Sequence, residues 1–471
     1  MTAISLLAGL WVATHELLLV AAILILVFSF DELVVDAIYI FGRARRSLRN
    51  RLQPFRWTVA DLPPGSDKRF AIFVPTWDEG EVIAEMLAHM TETFAYPAYD
   101  IFVGVYPNDP ATRRAAESVR DARIRVVELS HPGPTTKADC LNALWAAMLA
   151  AEGAEGERYA AVVLHDAEDA VHPAELSVFA HVIGRKAMVQ LPVVPVVDDD
   201  SRWISGHYCD EFAESHGKAM VVREALGAAL PSAGVACVFE RGAMQQVAEA
   251  RGGTPFDARA LTEDYELGIH VSRIGGGAFV RLPVRRGRDA VATREHFPAD
   301  VESALQQKTR WLIGIAFQGW SNLGWRGSIA DRYMFLRDRR AVPNAFVILL
   351  GYLALLMTGL CWAARLWFPG ASDLPPVVAP DSFLATLLLV TTAMLLWRLF
   401  VRALFTASVY GPWQGLLSVP RAVVANAIGM TAAWRAFWRW VGHMLTGRPL
   451  VWQKTAHRFP DEAARCAPSS A

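Results

Sequence analysis

The chain has 471 residues, of which 53% are hydrophobic and 20% charged; it is too long for one compact domain and reads as a soluble unit joined to a membrane unit. Its net charge of −1 argues against a broadly basic surface, so no nucleic acid is expected among its partners. The five cysteines (Cys140, Cys209, Cys237, Cys361, Cys466) show no CxxC or paired spacing, which argues against a disulfide framework or zinc site and fits a reducing cytoplasm.

Residues 4–30 are almost continuously apolar, interrupted only by His15 and Glu16. About 20 such residues cross a bilayer core. "MTAIS" carries no positive charge and no cleavage site follows, so the run reads as a retained span. "FDELVVDAIYIF" then reads as an interfacial helix, giving a first unit of residues 1–42. Five arginines between Arg43 and Arg51 open a basic linker, 43–67, and place it in the cytoplasm.

Residues 68–330 read as a cytoplasmic α/β domain. "RFAIFVP", "DIFVGVY", "IRVVEL" and "YAAVVLHD" are short apolar runs, with helix-length segments such as "GEVIAEMLAHMTETF" and "KADCLNALWAAMLAAE" in the connections. That alternation predicts a mostly parallel, Rossmann-like sheet. Residues 331–410 hold two further spans, Val342–Trp367 and Phe383–Leu404, around an external loop with no Lys or Arg. In residues 411–471, Arg421, Arg435 and Arg439 interrupt a Trp-rich apolar run, which predicts interfacial helices rather than a fourth span. The tail "DEAARCAPSSA" reads as disordered.

Ligands in such sheets bind beyond the carboxyl ends of the strands, and the residues there are polar. "PTWDEGE" supplies Thr76 and Glu79, "PNDPAT" supplies Asp109, and "LHDAEDAVHP" supplies Asp166, Glu168 and Asp169. Lys137 in "PGPTTKADCLN" opens a helix, where lysine and free N–H groups favour a phosphate. Each motif alone is ordinary loop punctuation; together they describe a nucleotide-sugar site. A divalent cation (Mn2+ or Mg2+) held by Asp166 and Glu168 would offset a diphosphate, with Asp109 toward the base or ribose. Asp169 is an alternative second ligand, and His165 belongs to the supporting shell. No GxxxxGK[ST] or GxGxxG follows the first strand, and "IGGGAF" comes late enough to be a plain turn. "LTEDYELG" puts Glu263 and Asp264 at a helix start, where acids are also ordinary capping residues. "QQKTRWLIG" puts Gln307, Arg310 and Trp311 just before the membrane, where Arg and Trp also serve as anchors.

The order "VPTWDE", "ND", "TTKADCLN", "HDAED", "TED", "QKTRW" and then membrane helices resembles family 2 glycosyltransferases of the polysaccharide-synthase type, related to cellulose and chitin synthases. Within that family the closest resemblance is to the inner-membrane enzymes linked to phage adsorption, through "FDELVVD", "VGVYPND", "LHDAEDAVHP" and "VWQKTAHRFP". The resemblance implies a GT-A fold and inverting, metal-dependent transfer of a hexose or N-acetylhexosamine from a UDP-sugar to a growing glycan. It implies that Thr76, Glu79 and Asp109 hold the uridine, that Lys137 and Arg310 contact the diphosphate, and that Asp166 and Glu168 bind the metal. Ser232–Gly242 then matches the strand beside the acceptor. Asp264, with Glu263 in the TED motif, matches the general base, and Gln307 and Trp311 match the acceptor site. Asp-Ala-Glu departs from the usual Asp-x-Asp.

The chain ends soon after "HRFP" without the cyclic di-GMP-binding domain many relatives carry, so direct control by that nucleotide is not expected. With only three or four spans, fewer than a cellulose-synthase-like channel uses, export is expected to need an oligomer or a partner, and the resemblance implies an outer-membrane partner that serves as phage receptor. Two other readings stay open here: transfer of a single sugar to a membrane lipid, and a non-catalytic scaffold for phage entry.

Overall fold

The computed structural model describes residues 3–52, 57–63, 67–285, 288–368, 371, 374–448, 450 and 458–461. The expected disorder after residue 461 and most of "VWQKTAHRFP" lie outside the described residues. Helix α1 is Ala3–Leu52. The soluble domain runs β1 (Phe70–Pro75), α2 (Ile83–Thr93), β2 (Tyr99–Val105), α3 (Pro110–Ser118), β3 (Ile124–Glu128), α4 (Lys137–Glu155), β4 (Ala161–Leu164) and α5 (Glu175–Val182). It continues with β5 (Met188–Gln190), β6 (Val193–Pro195), α6 (Ile204–Glu214), α7 (Met220–Ala225), β7 (Cys237–Glu240), α8 (Arg241–Ala250) and α9 (Glu263–Gly275). Short strands β8 (Gly277–Phe279), β9 (Pro283–Arg285), β10 (Arg288–Ala290) and β11 (Thr293–Glu295) follow. The rest is helical: α10 (Val301–Leu312), α11 (Gly319–Leu323), α12 (Ile329–Arg339), α13 (Ala341–Trp367), α14 (Phe383–Tyr410) and α15 (Pro412–Thr446).

The four runs read from the sequence are β1 to β4. They form a seven-stranded sheet in the order β3-β2-β1-β4-β7-β5-β8. Neighbours are parallel except β7, which is antiparallel to both β4 and β5. Alternation along β1 explains the layering. Ile72 and Val74 face Met86, Leu87 and Met90 of α2, whereas Ala71 and Phe73 face Leu141, Leu144 and Trp145 of α4. Fully burying such side chains contributes about 1.5–3 kcal/mol each. The carboxyl ends of β1, β2 and β4 therefore open on one rim.

Among the described residues, four helices are long and apolar enough to cross a membrane: α1, α13, α14 and α15. The expected boundary at residues 42/43 falls inside α1, which is one unbroken helix of 50 residues, about 75 Å long. The physical reason is that no proline follows the apolar run up to Leu52, and Leu, Ala and Arg all favour helix. The acids beyond the bilayer end are compensated from elsewhere: Asp36 meets Lys218 Nζ at 2.5 Å and accepts from Trp397 Nε1 at 2.8 Å.

Within the expected set of interfacial helices at 411–471, residues 412–446 form one 35-residue helix, α15. Its buried Arg421 meets Asp210 of α6 at 3.0 Å, and its Ala436 packs with Leu261 and Ile313. These positions are about 22 Å apart along the axis, yet both touch the soluble domain. Helix α15 thus runs along that domain's underside, and Asp210, held also by Arg402 of α14 at 3.1 Å, ties domain and helices together.

Candidate active site

One cleft of about 1080 Å³ opens at the strand rim. Of the residues singled out from the sequence, Thr76, Glu79, Lys137, Asp166, Glu168, Glu263, Asp264, Gln307, Arg310 and Trp311 line it. Asp109 does not. It caps α3, accepting from Thr112 N–H at 3.2 Å and from Asp78 N–H at 2.6 Å. Asp78 has φ 55°, a left-handed turn that this bond stabilises. Glu79 N–H donates to Thr112 Oγ1 at 2.8 Å. Asp109 therefore shapes the Thr76–Glu79 loop from behind, because the Asn-Asp pair after β2 is also an efficient helix cap.

Lys137 is the first residue of α4, capped by Thr136, and its Nζ lies 2.5 Å from Asp166 Oδ1. Burial alone would lower its pKa, but Asp166, Glu263 and Asp264 outweigh that and hold it above the ordinary value. It stays a cation. Asp166 and Glu168 face the cleft. Asp169 is wholly buried behind it, its Oδ2 accepting from Asp166 N–H at 3.0 Å and sitting 2.7 Å from His165 Nδ1. His165 Nε2 in turn lies 2.7 Å from Glu175 Oε1. Burial pushes the imidazole down, but Glu175 and Asp169 prevail and bring it up to about 10, so a buried imidazolium braces the turn.

Thr262 precedes α9, which starts at Glu263. Burial and the neighbouring Asp264 push Glu263 up to about 7; burial also raises Asp264, against the pull of Lys137 and Arg310. Helix α10 continues into a π-helical turn, Ile313–Gln318, that grips the TED loop. Gln318 Oε1 accepts from Leu261 N–H at 2.9 Å, and its Nε2 donates to Arg259 O at 3.0 Å. Gly314 lies so close to Thr262 that an added Cβ would sit 2.3 Å from Thr262 Oγ1. This local grip holds the TED and QxxRW motifs at one place. Gln307 Oε1 and Arg310 Nε are buried without a hydrogen-bond partner among the described residues. Unpaired buried polar atoms are costly, so both fit groups awaiting a ligand.

Sequence reasoning missed Glu295, Trp77 and Tyr106, which also line the cleft. Trp77 and Tyr106 stack edge to face, 5.2 Å between centroids, and their position beside "PT" and "PND" could have revealed them. Glu295 carried no local signal. It ends β11, which pairs with β6 and is pinned to the acidic turn by Ala170 N–H to Arg294 O at 2.9 Å and the reverse bond at 3.0 Å. Burial and the acids Asp169, Glu168 and Asp166 push its pKa far up.

The residue set fits a divalent cation. Six carboxylates line the cleft against Lys137 and Arg310, a negative excess of hard oxygen donors. No group of three or more His, Cys, Asp or Glu among the described residues is arranged to hold an ion alone. One or two carboxylates plus substrate phosphates is the usual provision for Mg2+.

The model for Glycosyltransferase like family 2 matches residues 67–314, which contain the sheet and every residue lining the cleft. The chain belongs to this family. Among the relatives of this family 2 chain are Bacteriophage adsorption protein B of Escherichia coli (strain K12) and Bacteriophage N4 adsorption protein B of Escherichia coli O157:H7. Each is 35% identical over 457 residues, 93% of this chain and 61% of its own length; the chain thus spans under two thirds of these relatives. Among solved structures, the mannosyltransferase PcManGT from Pyrobaculum calidifontis, in complex with GDP-Man and Mn2+, matches with TM-score 0.51 and 17% identity. The match covers 90% of this chain and 99% of that one. At that identity the likeness shows the shared GT-A-like fold alone.

Proposed function

We propose that this family 2 protein is an inverting transferase moving a hexose or N-acetylhexosamine from a UDP-sugar to a growing surface glycan at the cytoplasmic face of the inner membrane. The observation carrying the reading is that Thr76, Glu79, Lys137, Asp166, Glu168, Glu263, Asp264, Gln307, Arg310 and Trp311 all line one cleft. Trp77 and Tyr106 offer aromatic surface for the base beside Thr76 and Glu79. Lys137 and Arg310 take the diphosphate, Arg310 through its planar fork. Asp166 and Glu168 would hold Mn2+ or Mg2+, which supplies charge neutralisation to the leaving diphosphate. Asp264 takes the acceptor hydroxyl proton as that oxygen attacks C1. The C1–O bond breaks on the opposite face, and its electron pair leaves with UDP. Burial raises the proton affinity of Asp264, and Lys137 and Arg310 hold it down.

Trp311 offers a flat face for the acceptor sugar, and it also lines a second cavity of about 1600 Å³ bounded by α13, α14 and α15. An acceptor entering from the membrane side would pass there. That cavity also favours a second reading, single-sugar transfer to a membrane lipid, which organic-extractable products would reveal. Since the relatives' names concern phage adsorption, an outer-membrane export or receptor partner belongs to the proposal.

The test is incubation of the membrane-embedded protein with UDP- and GDP-sugars and Mn2+ or Mg2+, scoring nucleotide release and the anomeric configuration of the product by NMR. Retained configuration, or release only from GDP-sugars, would overturn the reading.

A further inference from the structure

Helix α12 carries large aliphatic side chains on its outward face as well as apolar ones on its inward face. At 100° per residue, Ile329, Arg332 and Leu336 fall within about 60° of arc, and all three are exposed, Ile329 by 87% and Leu336 by 54%. The opposite face buries Asp331, Met334 and Phe335, and Asp338 sits among them, accepting from Tyr265 Oη at 2.5 Å and from Arg223 Nη1 at 2.9 Å. The outward face thus carries the large aliphatics that a water-facing helix normally turns inward. Trp320 and Trp325, also exposed, continue this edge as an edge-to-face pair 5.3 Å apart, and exposed Arg326 and Arg332 flank it.

Two independent contacts fix the height of this edge. Only Arg340 separates α12 from the span α13. At the same level α1 leaves its apolar run: Asp31 accepts from Tyr333 Oη at 2.5 Å and pairs with Arg340 at 2.7 Å, and Glu32 pairs with Arg337 at 3.0 Å. Arg340 also donates to Phe28 O at 3.0 Å. Helix α12 is therefore level with the points where two membrane helices meet the cytoplasm, the depth at which Trp and Arg are favoured.

We propose that the α11–α12 edge beds into the cytoplasmic leaflet, with Ile329, Leu336, Trp320 and Trp325 at the headgroup–acyl boundary and Arg326 and Arg332 on anionic headgroups. Its buried face holds Tyr265, the residue after the proposed base, so the leaflet contact anchors the start of α9. The proposal rests on the membrane helices and not on the transfer reaction.

The test places a nitroxide on Cys introduced at Ile329, Leu336 or, as a water-facing control, exposed Arg114 of α3, with Cys466→Ser, in vesicles of phosphatidylcholine with or without phosphatidylglycerol. Power-saturation EPR then compares collision with oxygen and with a nickel chelate. Labels at 329 and 336 should favour oxygen severalfold and the label at 114 the chelate, with phosphatidylglycerol deepening the first two until Arg326→Ala and Arg332→Ala are combined. Chelate access at 329 and 336 equal to that at 114 would overturn the proposal. So would shielding from both probes, which would mean a protein partner or a second copy covers the face. Spectra need no turnover, so failure here leaves the reaction untouched.

Discussion

Gly234 gives a direct handle on the proposed base. Its φ is +82°, and a Cβ built there would lie 2.4 Å from Asp264 Oδ2 and 3.2 Å from its Cγ. Ordinary contact begins near 3.4 Å, so Gly234→Ala requires the carboxylate to retreat by about 1 Å, a displacement that typically costs about 100-fold in rate. Alanine in the left-handed region also costs about 1–2 kcal/mol of stability. Gly227 separates the two effects, because its φ is +71° but nothing lies within 4 Å of its Cβ position. Both variants should melt earlier in detergent micelles by similar amounts. Only Gly234→Ala should lose about two orders of magnitude in kcat for UDP release. A kcat for Gly234→Ala within threefold of that for Gly227→Ala would refute the argument that the Asp264 carboxylate does its work at this position.

Other predictions follow from the same geometry. The base must be unprotonated, and burial raises Asp264 above the usual carboxylate value against the pull of Lys137 and Arg310, so kcat/KM should fall on acidification at a higher pH than a free aspartate would give; Arg310→Gln, which removes one of those cations, should move this limb to still higher pH. Arg310→Lys keeps charge but loses the fork, and about 1.5–3 kcal/mol of charged hydrogen bonding corresponds to roughly 10–150-fold weaker UDP binding by calorimetry. His165→Ala leaves Asp169 and Glu175 buried without their cation, which should cost about 3–5 kcal/mol in thermal unfolding. Since the folded His165 pKa is raised to about 10, its contribution is complete below the unfolded value near 6.5 and should fade as pH rises through 10.

Much of the site was legible because short β-branched strands and their polar ends follow local rules. β1 to β4 fall where the apolar runs place them, and the acids of "HDAED" emerge at the end of β4 as expected. Asp109 shows the limit of such reading: helix capping and ligand binding draw on the same side chain, and only the fold tells which is served. Glu295 shows another limit, since a carboxylate 129 residues from Asp166 reaches the acidic turn through strand pairing alone. The unbroken α1 was illegible because a change from apolar to charged sequence marks a change of solvent, and helix propensity is indifferent to it. For α15, two of the three arginines in the Trp-rich run are engaged within the protein, Arg421 by Asp210 and Arg435 by Glu302.

The central claim is that Asp264 accepts the acceptor's proton during transfer from a UDP-sugar. The most direct measurement compares cation-dependent UDP release and sugar incorporation by the wild type and Asp264→Asn in the same vesicles, with UDP affinity recorded for both. The account predicts unchanged UDP binding and a melting temperature close to wild type, with incorporation lowered by about 100- to 10,000-fold. Incorporation at the wild-type rate in Asp264→Asn would contradict it.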